Sequence, residues 1–184
     1  MIEFLENVLT QDAIKAVHEE VYNIKNEKKW RTSNQSWTPE LTRDSLGTIL
    51  IHDMDLNCPV AKEIFRQLSK YIDPQFKNLR SITYTEWQPM SLINWHDDGH
   101  TRNGNGKEGV HITVYLNEKW EWNWGGLFCW EDGQEHKVKC PQFNHGLIVS
   151  KGHPHCVTVL SPKAPVRKTL QIIITNYHNG THSY

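Results

Sequence analysis

The stretch Ser81-Ile82-Thr83-Tyr84-Thr85-Glu86-Trp87 decides the fold class, because the hydrophobic pattern changes here from a helical period to alternation. Short runs rich in β-branched and aromatic residues follow it, and glycine, proline and asparagine separate them. So many short strands after two helices predict a mainly β protein, a sandwich or jelly roll braced by N-terminal α-helices. We predict strands at 81–87, 92–96, 110–115, 127–130, 136–139, 146–149, 156–160 and 169–175.

Two amphipathic helices are predicted before the first of these strands. In the first, apolar residues recur every three or four positions over 13–24, with acids and lysines between them. This helix is expected to be capped near Thr10. The second helix carries its apolar stripe over 60–72. Residues 1–80 are therefore assigned as a helical support for the strands.

Length and charge bound the remaining possibilities. The chain has 184 residues, with 20 lysines and arginines against 21 acidic residues and a formal net charge of -1. This suits a single domain over 1–184, with residues 81–177 as its β core, and it argues against a nucleic-acid partner, which usually requires a basic excess. The N-terminus has no positively charged leader, and no stretch approaches the roughly 18 apolar residues of a membrane span. We therefore expect a cytoplasmic protein with no membrane partner.

The string Asn94-Trp95-His96-Asp97-Asp98-Gly99-His100 carries a candidate metal site at the end of a predicted strand. Successive side chains of a strand point to opposite faces, so His96 and Asp98 are expected to project together while Asp97 points away. An imidazole and a carboxylate on one face can share one cation. A histidine that only makes structural hydrogen bonds at a strand end is the alternative.

A third ligand is offered by the two histidines that flank Pro154. His155 begins an alternating run, which predicts that its ring shares a face with Val157 and Val159. His153 is the other candidate. Two histidines and one carboxylate with open coordination positions form the facial triad of non-haem Fe(II) oxygenases.

Arg167 opens the last predicted strand. Its guanidinium is planar, always charged and suited to bidentate pairing with a carboxylate. A purely structural arginine at a strand start is the alternative.

Taken in order, these residues and their neighbours resemble the prolyl 4-hydroxylase-like branch of the Fe(II)- and 2-oxoglutarate-dependent dioxygenases. The resemblance covers about residues 81–176, and the ordered set is more specific than any one piece. The pieces are the H-x-D of His96 and Asp98, the strand ending in Tyr115-Leu116-Asn117, the turn Gly125-Gly126-Leu127, the H-x-V-x-V that begins at His155, and the R-x-S/T element Arg167-Lys168-Thr169.

The resemblance implies a double-stranded β-helix, with Fe(II) as cofactor, 2-oxoglutarate and O2 as co-substrates, and ascorbate as a further candidate cofactor. It also implies a role for each matching residue. His96, Asp98 and His155 would be the metal ligands, Arg167 would pair with the distal carboxylate of 2-oxoglutarate, and Tyr115 and Thr169 would add hydrogen bonds to it.

The implied reaction couples oxidative decarboxylation of 2-oxoglutarate, which releases succinate and CO2, to hydroxylation of a C–H bond. A prolyl or other peptidyl substrate is the leading expectation, by analogy with the branch. A free amino acid or other small metabolite is the second, since the chain is compact. A jelly-roll module that binds metal without redox chemistry is the alternative from a different class.

Three positions call for comment beside this resemblance. The branch often carries a tyrosine about nine residues before its first histidine, but Trp87 occupies that position here, and Tyr84 is expected on the opposite strand face. Lys168 competes with Arg167 as a carboxylate partner, yet as its immediate neighbour it should face the other way. Three protein ligands leave three octahedral positions for a bidentate keto acid and O2, so His153 is expected at the rim.

Overall fold

The computed structural model describes residues 2–25, 30–72, 78–98, 109–150 and 152–175. Within these ranges the α-helices are α1 (Gln11–Lys25), α2 (Ser33–Ser36), α3 (Pro39–Thr42) and α4 (Pro59–Leu68), and short 3₁₀ helices lie at Ser69–Tyr71 and Trp122–Trp124. The strands are β1 (Ile2–Leu5), β2 (Arg31–Thr32), β3 (Ile49–Asp53), β4 (Asn78–Trp87), β5 (Ile93–His96), β6 (Gly109–Tyr115), β7 (Phe128–Asp132), β8 (Glu135–Lys139), β9 (Gly146–Ser150), β10 (His155–Val157) and β11 (Arg167–Thr175).

The strands form two antiparallel sheets. Among the described residues, the larger has seven strands in the order β1-β9-β6-β11-β4-β3-β2, and the smaller has four in the order β5-β10-β7-β8. Ile49 and Trp87 of the large sheet share one apolar cluster with Ile93 and Val157 of the small sheet, so the two sheets pack face to face. The predicted mainly β fold, a jelly roll with flanking helices, is confirmed.

The helices cover the other face of the large sheet. Along β11 the side chains of Leu170, Ile172 and Ile174 are fully buried in the cluster that contains Val17 of α1 and Ile64 of α4. Burial of this apolar surface is the main stabilising contribution to the layer. Strand alternation then turns the other residues of β11 toward the space between the two sheets.

The predicted helices are present as α1 and α4. Thr10 accepts a hydrogen bond from the backbone N–H of Ala13 at 3.3 Å, as expected for a residue that caps α1. Across the described ranges, no helix combines the length and the apolar character needed to cross a bilayer.

The assignment of residues 1–80 as a helical support leaves out three strands, because β1, β2 and β3 all join the large sheet. β3 pairs with β4 along its whole length, and β1 pairs with β9 at the opposite edge. These strands have only two to five residues, and their stability comes from their partners rather than from a local pattern.

The run that begins at His155 is shorter than predicted. β10 ends at Val157, and Val159 is 46% exposed instead of continuing the buried face. The chain turns here because Leu160 bridges Gly125 and is itself fully buried in the cluster between the sheets. The expectation that Val159 shares the face of His155 is therefore wrong.

Candidate functional site

Two neighbouring strands of the small sheet bring the predicted ligand residues together. His96 at the end of β5 and His155 at the start of β10 are register partners, and their ring centroids lie 4.3 Å apart. Asp98 follows two residues later, with its carboxylate oxygens 3.6 Å from Nε2 of His96 and 3.7 Å from Nε2 of His155. One possible ligand atom from each of the three residues, which we call the triad, lies within 4.8 Å of the others.

Main-chain carbonyls orient both histidine rings of the triad. Nδ1 of His96 lies 2.8 Å from the carbonyl of Asn94, and Nδ1 of His155 lies 2.8 Å from the carbonyl of His153. A carbonyl can only accept, so Nδ1 must carry the proton in each ring, and Nε2 keeps its lone pair whenever the ring is neutral. The two lone pairs therefore face the Asp98 carboxylate, as ligands of one cation require.

His111 on β6 completes the surroundings of Asp98. Its Nδ1 lies 3.1 Å from Oδ2 of Asp98, and its side chain is 37% exposed, so it stands at the rim of the triad. Sequence reasoning assigned no role to this histidine. Alternation along 111–115 could have indicated a role for it, because it places His111 on the same strand face as Tyr115.

The charge states of Asp98 and His155 favour cation binding. Burial would raise the pKa of Asp98, but hydrogen bonds from His111 and His96 hold it well below the usual range of a carboxyl group. Burial would lower the pKa of His96, yet contact with Asp98 and with the Asn94 carbonyl raises it above the usual value of a histidine. For His155 burial prevails and lowers the pKa to about 4. Asp98 is thus ionised and His155 neutral at physiological pH.

A second group of polar side chains is buried between the sheets. Arg167, only 2% exposed, opens β11, and its guanidinium carbon lies 4.6 Å from the ring centroid of Trp87 and 5.2 Å from that of Tyr115. Nε and Nη1 of Arg167 and the hydroxyl of Tyr115 are buried without a hydrogen-bond partner among the described residues. Leaving two nitrogens of a buried guanidinium without partners is energetically costly, so this group is suited to an anionic ligand.

Thr169 joins the same group through a chain of hydrogen bonds. Its hydroxyl lies 2.6 Å from that of Thr85, which accepts a hydrogen bond of 2.9 Å from the indole N–H of Trp87. Tyr84 lies on the opposite face of β4, in the core beneath the helices, where its hydroxyl donates to Glu86. We call Trp87, Tyr115, Arg167 and Thr169 the carboxylate pocket.

β6 connects the triad to the carboxylate pocket. His111, which contacts Asp98, and Tyr115, beside Arg167, lie on one face of this strand four residues apart, about 13 Å along the backbone. Side chains at both positions face the space between the sheets. A ligand bound in that space could extend from Arg167 toward the triad.

Neighbouring residues hold Arg167 in place. The Asn117 side chain donates to the carbonyl of Val166 at 2.9 Å and accepts from the backbone N–H of Lys168 at 2.7 Å, so it fixes the main chain on both sides of the arginine. Gly126 has a φ of +62°, and a Cβ there would lie 3.1 Å from Cδ of Arg167. Asn117 and Gly126 are the parts of the Tyr-Leu-Asn and Gly-Gly motifs that position Arg167.

Two other candidates take different places. Lys168 faces the helices, where its charge adds to the effect of burial in lowering the pKa of His18 on α1. His153 contributes its main-chain carbonyl to His155 rather than a ligand atom to the triad. His100 lies outside the described residues.

The sequence profile described as the 2OG-Fe(II) oxygenase superfamily matches residues 82–175, just over half of the chain. The protein therefore belongs to the 2OG-Fe(II) oxygenase superfamily, which comprises 2-oxoglutarate- and Fe(II)-dependent enzymes. No curated protein sequence matches the chain significantly.

Solved structures with the same fold include prolyl hydroxylases. A prolyl-4-hydroxylase from Pseudomonas putida has a TM-score of 0.72 and 13% identity, over 96% of this chain and 93% of that one. A prolyl hydroxylase from Trichoplax adhaerens, in complex with a hypoxia inducible factor peptide fragment, has a TM-score of 0.71 and 14% identity, over 95% and 83% of the two chains. A viral collagen prolyl hydroxylase from Paramecium Bursaria Chlorella virus-1, in complex with 2OG, has a TM-score of 0.62 and 13% identity, over 95% and 96%. At these identities the likeness shows the fold.

Proposed function

We propose that the protein is a 2-oxoglutarate-dependent Fe(II) dioxygenase that hydroxylates a prolyl or other peptidyl C–H bond. The observation that carries this proposal is the buried pair of Arg167 and Tyr115. Nε and Nη1 of Arg167 and the hydroxyl of Tyr115 have no hydrogen-bond partner in the described part of the chain, and Tyr115 lies on the strand face that also carries His111 beside the triad. An anionic ligand that reaches from Arg167 to a triad-bound metal fits this arrangement. 2-Oxoglutarate, with a keto acid at one end and a carboxylate at the other, has that form.

The triad fits Fe(II) by the chemistry of its donors. His96 and His155 would each offer Nε2, since Nδ1 is bonded to a carbonyl, and Asp98 would offer a carboxylate oxygen. Iron bound there would supply O2 activation, coupled to conversion of 2-oxoglutarate to succinate and CO2 and to hydroxylation of the substrate. His111 would hold the second oxygen of Asp98, which fixes the carboxylate in one orientation.

The carboxylate pocket would bind and orient the co-substrate. Arg167 would pair with its distal carboxylate, and Tyr115 and Thr169 would donate hydroxyl hydrogen bonds to the same group. Charged donors in a buried pocket are strong because little water competes for them. The apolar wall made by Trp87 excludes that water from one side of Arg167.

The substrate class rests on analogy with the prolyl hydroxylases that share the fold, one of them crystallised with a peptide fragment. To test it, the protein is incubated with Fe(II), 2-oxoglutarate and O2, with and without ascorbate, and with panels of proline-containing peptides and free amino acids. Mass spectrometry should show succinate and a peptide that has gained one oxygen atom. Oxygen transfer to a free amino acid would contradict the peptidyl assignment but would still support the assignment as a dioxygenase.

A cytoplasmic location and the lack of nucleic-acid and membrane partners stay predictions from the sequence.

Replacing His111 with alanine is expected to weaken Mn(II) affinity roughly tenfold or more, because the freed oxygen of Asp98 loses its donor. His111→Asn, which retains a side-chain N–H, should restore part of the affinity. His136→Ala, at a 70% exposed histidine on β8, serves as the control and should bind Mn(II) normally. The measurement is calorimetric titration of the metal-free protein. Equal affinity in the wild type and in His111→Ala would contradict this role.

Metal affinity is expected to rise with pH through the neutral range. Because the pKa of His96 is raised, a metal must displace a proton from this ring in the lower part of the range, so affinity should increase by up to about tenfold per pH unit until His96 is neutral. His155, with a pKa of about 4, is already neutral there and adds no slope. Titrations with Mn(II) between about pH 5.5 and 8.5 check this prediction. An affinity that does not change with pH below 7 would contradict it.

A further inference from the structure

Trp87 lies where two contacts of the carboxylate pocket meet. It is 1% exposed on β4 and is the register partner of Arg167 on β11. The guanidinium carbon of Arg167 lies 4.6 Å from the centroid of its ring, within the range of a cation–π contact. The indole face therefore supports the charged group that would bind the distal carboxylate.

The other contact of Trp87 runs through hydroxyl groups. The indole N–H can only donate, and it donates to Thr85 at 2.9 Å. The hydroxyl oxygens of Thr85 and Thr169 lie 2.6 Å apart, and both residues are fully buried. When an anion next to Thr169 accepts a hydrogen bond from the hydroxyl of that residue, the oxygen of Thr169 is left to accept one from the hydroxyl of Thr85. All three donors then point the same way, from Trp87 toward the anion, and each hydrogen bond strengthens the next.

We propose that Trp87 is a positioning residue for 2-oxoglutarate, which supports Arg167 with its ring face and orients the hydroxyls of Thr85 and Thr169 with its N–H. The inference rests on the proposed function. It gives this tryptophan an indirect role at a sequence position where related enzymes often carry a tyrosine. Trp87 itself is not assigned a contact with the co-substrate.

Simple packing is the competing explanation, because Trp87 also belongs to the apolar cluster between the sheets. Its ring lies 6.1 Å from that of Trp37, which packs against the same cluster. Packing alone does not require the N–H to bond to Thr85. Variants that remove this hydrogen bond while retaining an aromatic or isosteric side chain therefore separate the two explanations.

The experiment measures the affinity of Mn(II)-loaded protein for 2-oxoglutarate in four variants. Trp87→Phe removes the N–H and retains an aromatic face, Thr85→Val removes the relaying hydroxyl at nearly constant shape, and the double variant combines them. Trp37→Phe is the control for loss of indole packing in the same cluster. Mn(II) affinity and melting temperature are measured for each, since a purely structural defect would lower the melting temperature without a selective loss of 2-oxoglutarate.

Trp87→Phe and Thr85→Val are each expected to weaken 2-oxoglutarate binding roughly three- to tenfold, with Mn(II) affinity unchanged. The double variant should bind as weakly as Trp87→Phe alone, because both changes interrupt one chain. Trp37→Phe should bind 2-oxoglutarate as the wild type does.

Two results would overturn the role of Trp87 while leaving the proposed function in place. One is unchanged 2-oxoglutarate affinity in both single variants, and the other is additive losses in the double variant. A wild type that binds Mn(II) but no 2-oxoglutarate would instead contradict the proposed function itself.

Discussion

Replacing Asp98 with alanine is expected to lower Fe(II) or Mn(II) affinity by more than about 100-fold and to abolish metal-dependent turnover. Loss of a residue that only orients a ligand costs about 10–100-fold, so loss of the ligand itself should exceed that range. Asp98 supplies the single carboxylate of the triad, and its oxygens face His96, His155 and His111. Its removal leaves the cation with two neutral imidazoles and no negative charge.

The neighbouring Asp97 is the matched control for this change. It carries the same carboxylate one position earlier, and it is not one of the three residues of the triad. Asp97→Ala should leave metal affinity within about threefold of the wild type, in line with the small effects of substitutions outside such sites. Both variants are titrated with Mn(II), and melting temperature is recorded to detect unfolding. Equal losses would mean that Asp98 is not the specific carboxylate ligand.

Replacing Arg167 with alanine is expected to weaken 2-oxoglutarate binding by about 100-fold or more while metal affinity stays near the wild-type value. Truncating one partner of a buried, hydrogen-bonded charge pair costs about 2–5 kcal/mol, and every 1.4 kcal/mol is a factor of ten. Arg167 is fully buried, and its Nε and Nη1 have no partner within the described ranges, so a bound carboxylate would form that pair. The triad lies on other strands and should keep its geometry.

Lys168→Ala is the control for Arg167→Ala, since it also removes one positive charge at the start of β11. Its side chain faces the helices, so 2-oxoglutarate affinity should change by less than about threefold. Calorimetric titration of Mn(II)-loaded protein measures both variants. Unchanged affinity in Arg167→Ala, or a larger loss in Lys168→Ala, would refute the assignment of the carboxylate partner.

Alternation along single strands accounts for what could be predicted of the site. It turns Lys168 away from Arg167 and separates Tyr84 from Trp87, because side-chain direction in a strand depends only on local position. The same rule predicts His96 beside Asp98, and the two residues do meet, although β5 ends at His96 and Asp98 lies in the turn that follows it. The helices α1 and α4 could be predicted for a similar reason, since their apolar stripes are local patterns.

Pairing between distant strands accounts for what could not be predicted. Residues 2–5 and 49–53 become strands because β9 and β4 offer edges to them, and no local pattern reveals those partners. The contact of His111 with Asp98 and the hydrogen bonds from Asn117 on both sides of Arg167 likewise join separate elements. Alternation predicts which face of the sheet a side chain lies on, but it does not predict which residue of another element that side chain contacts.

The central claim is that the triad and the carboxylate pocket bind one Fe(II)–2-oxoglutarate pair. The most direct test is anaerobic: 2-oxoglutarate is titrated into protein reconstituted with Fe(II), and the visible charge-transfer band of a keto acid chelated to ferrous iron is followed. The account predicts that the band forms in the wild type, is lost in His155→Ala, and requires much more 2-oxoglutarate in Arg167→Ala. Iron binding without any band in the wild type would contradict it and favour a metal-binding jelly-roll module.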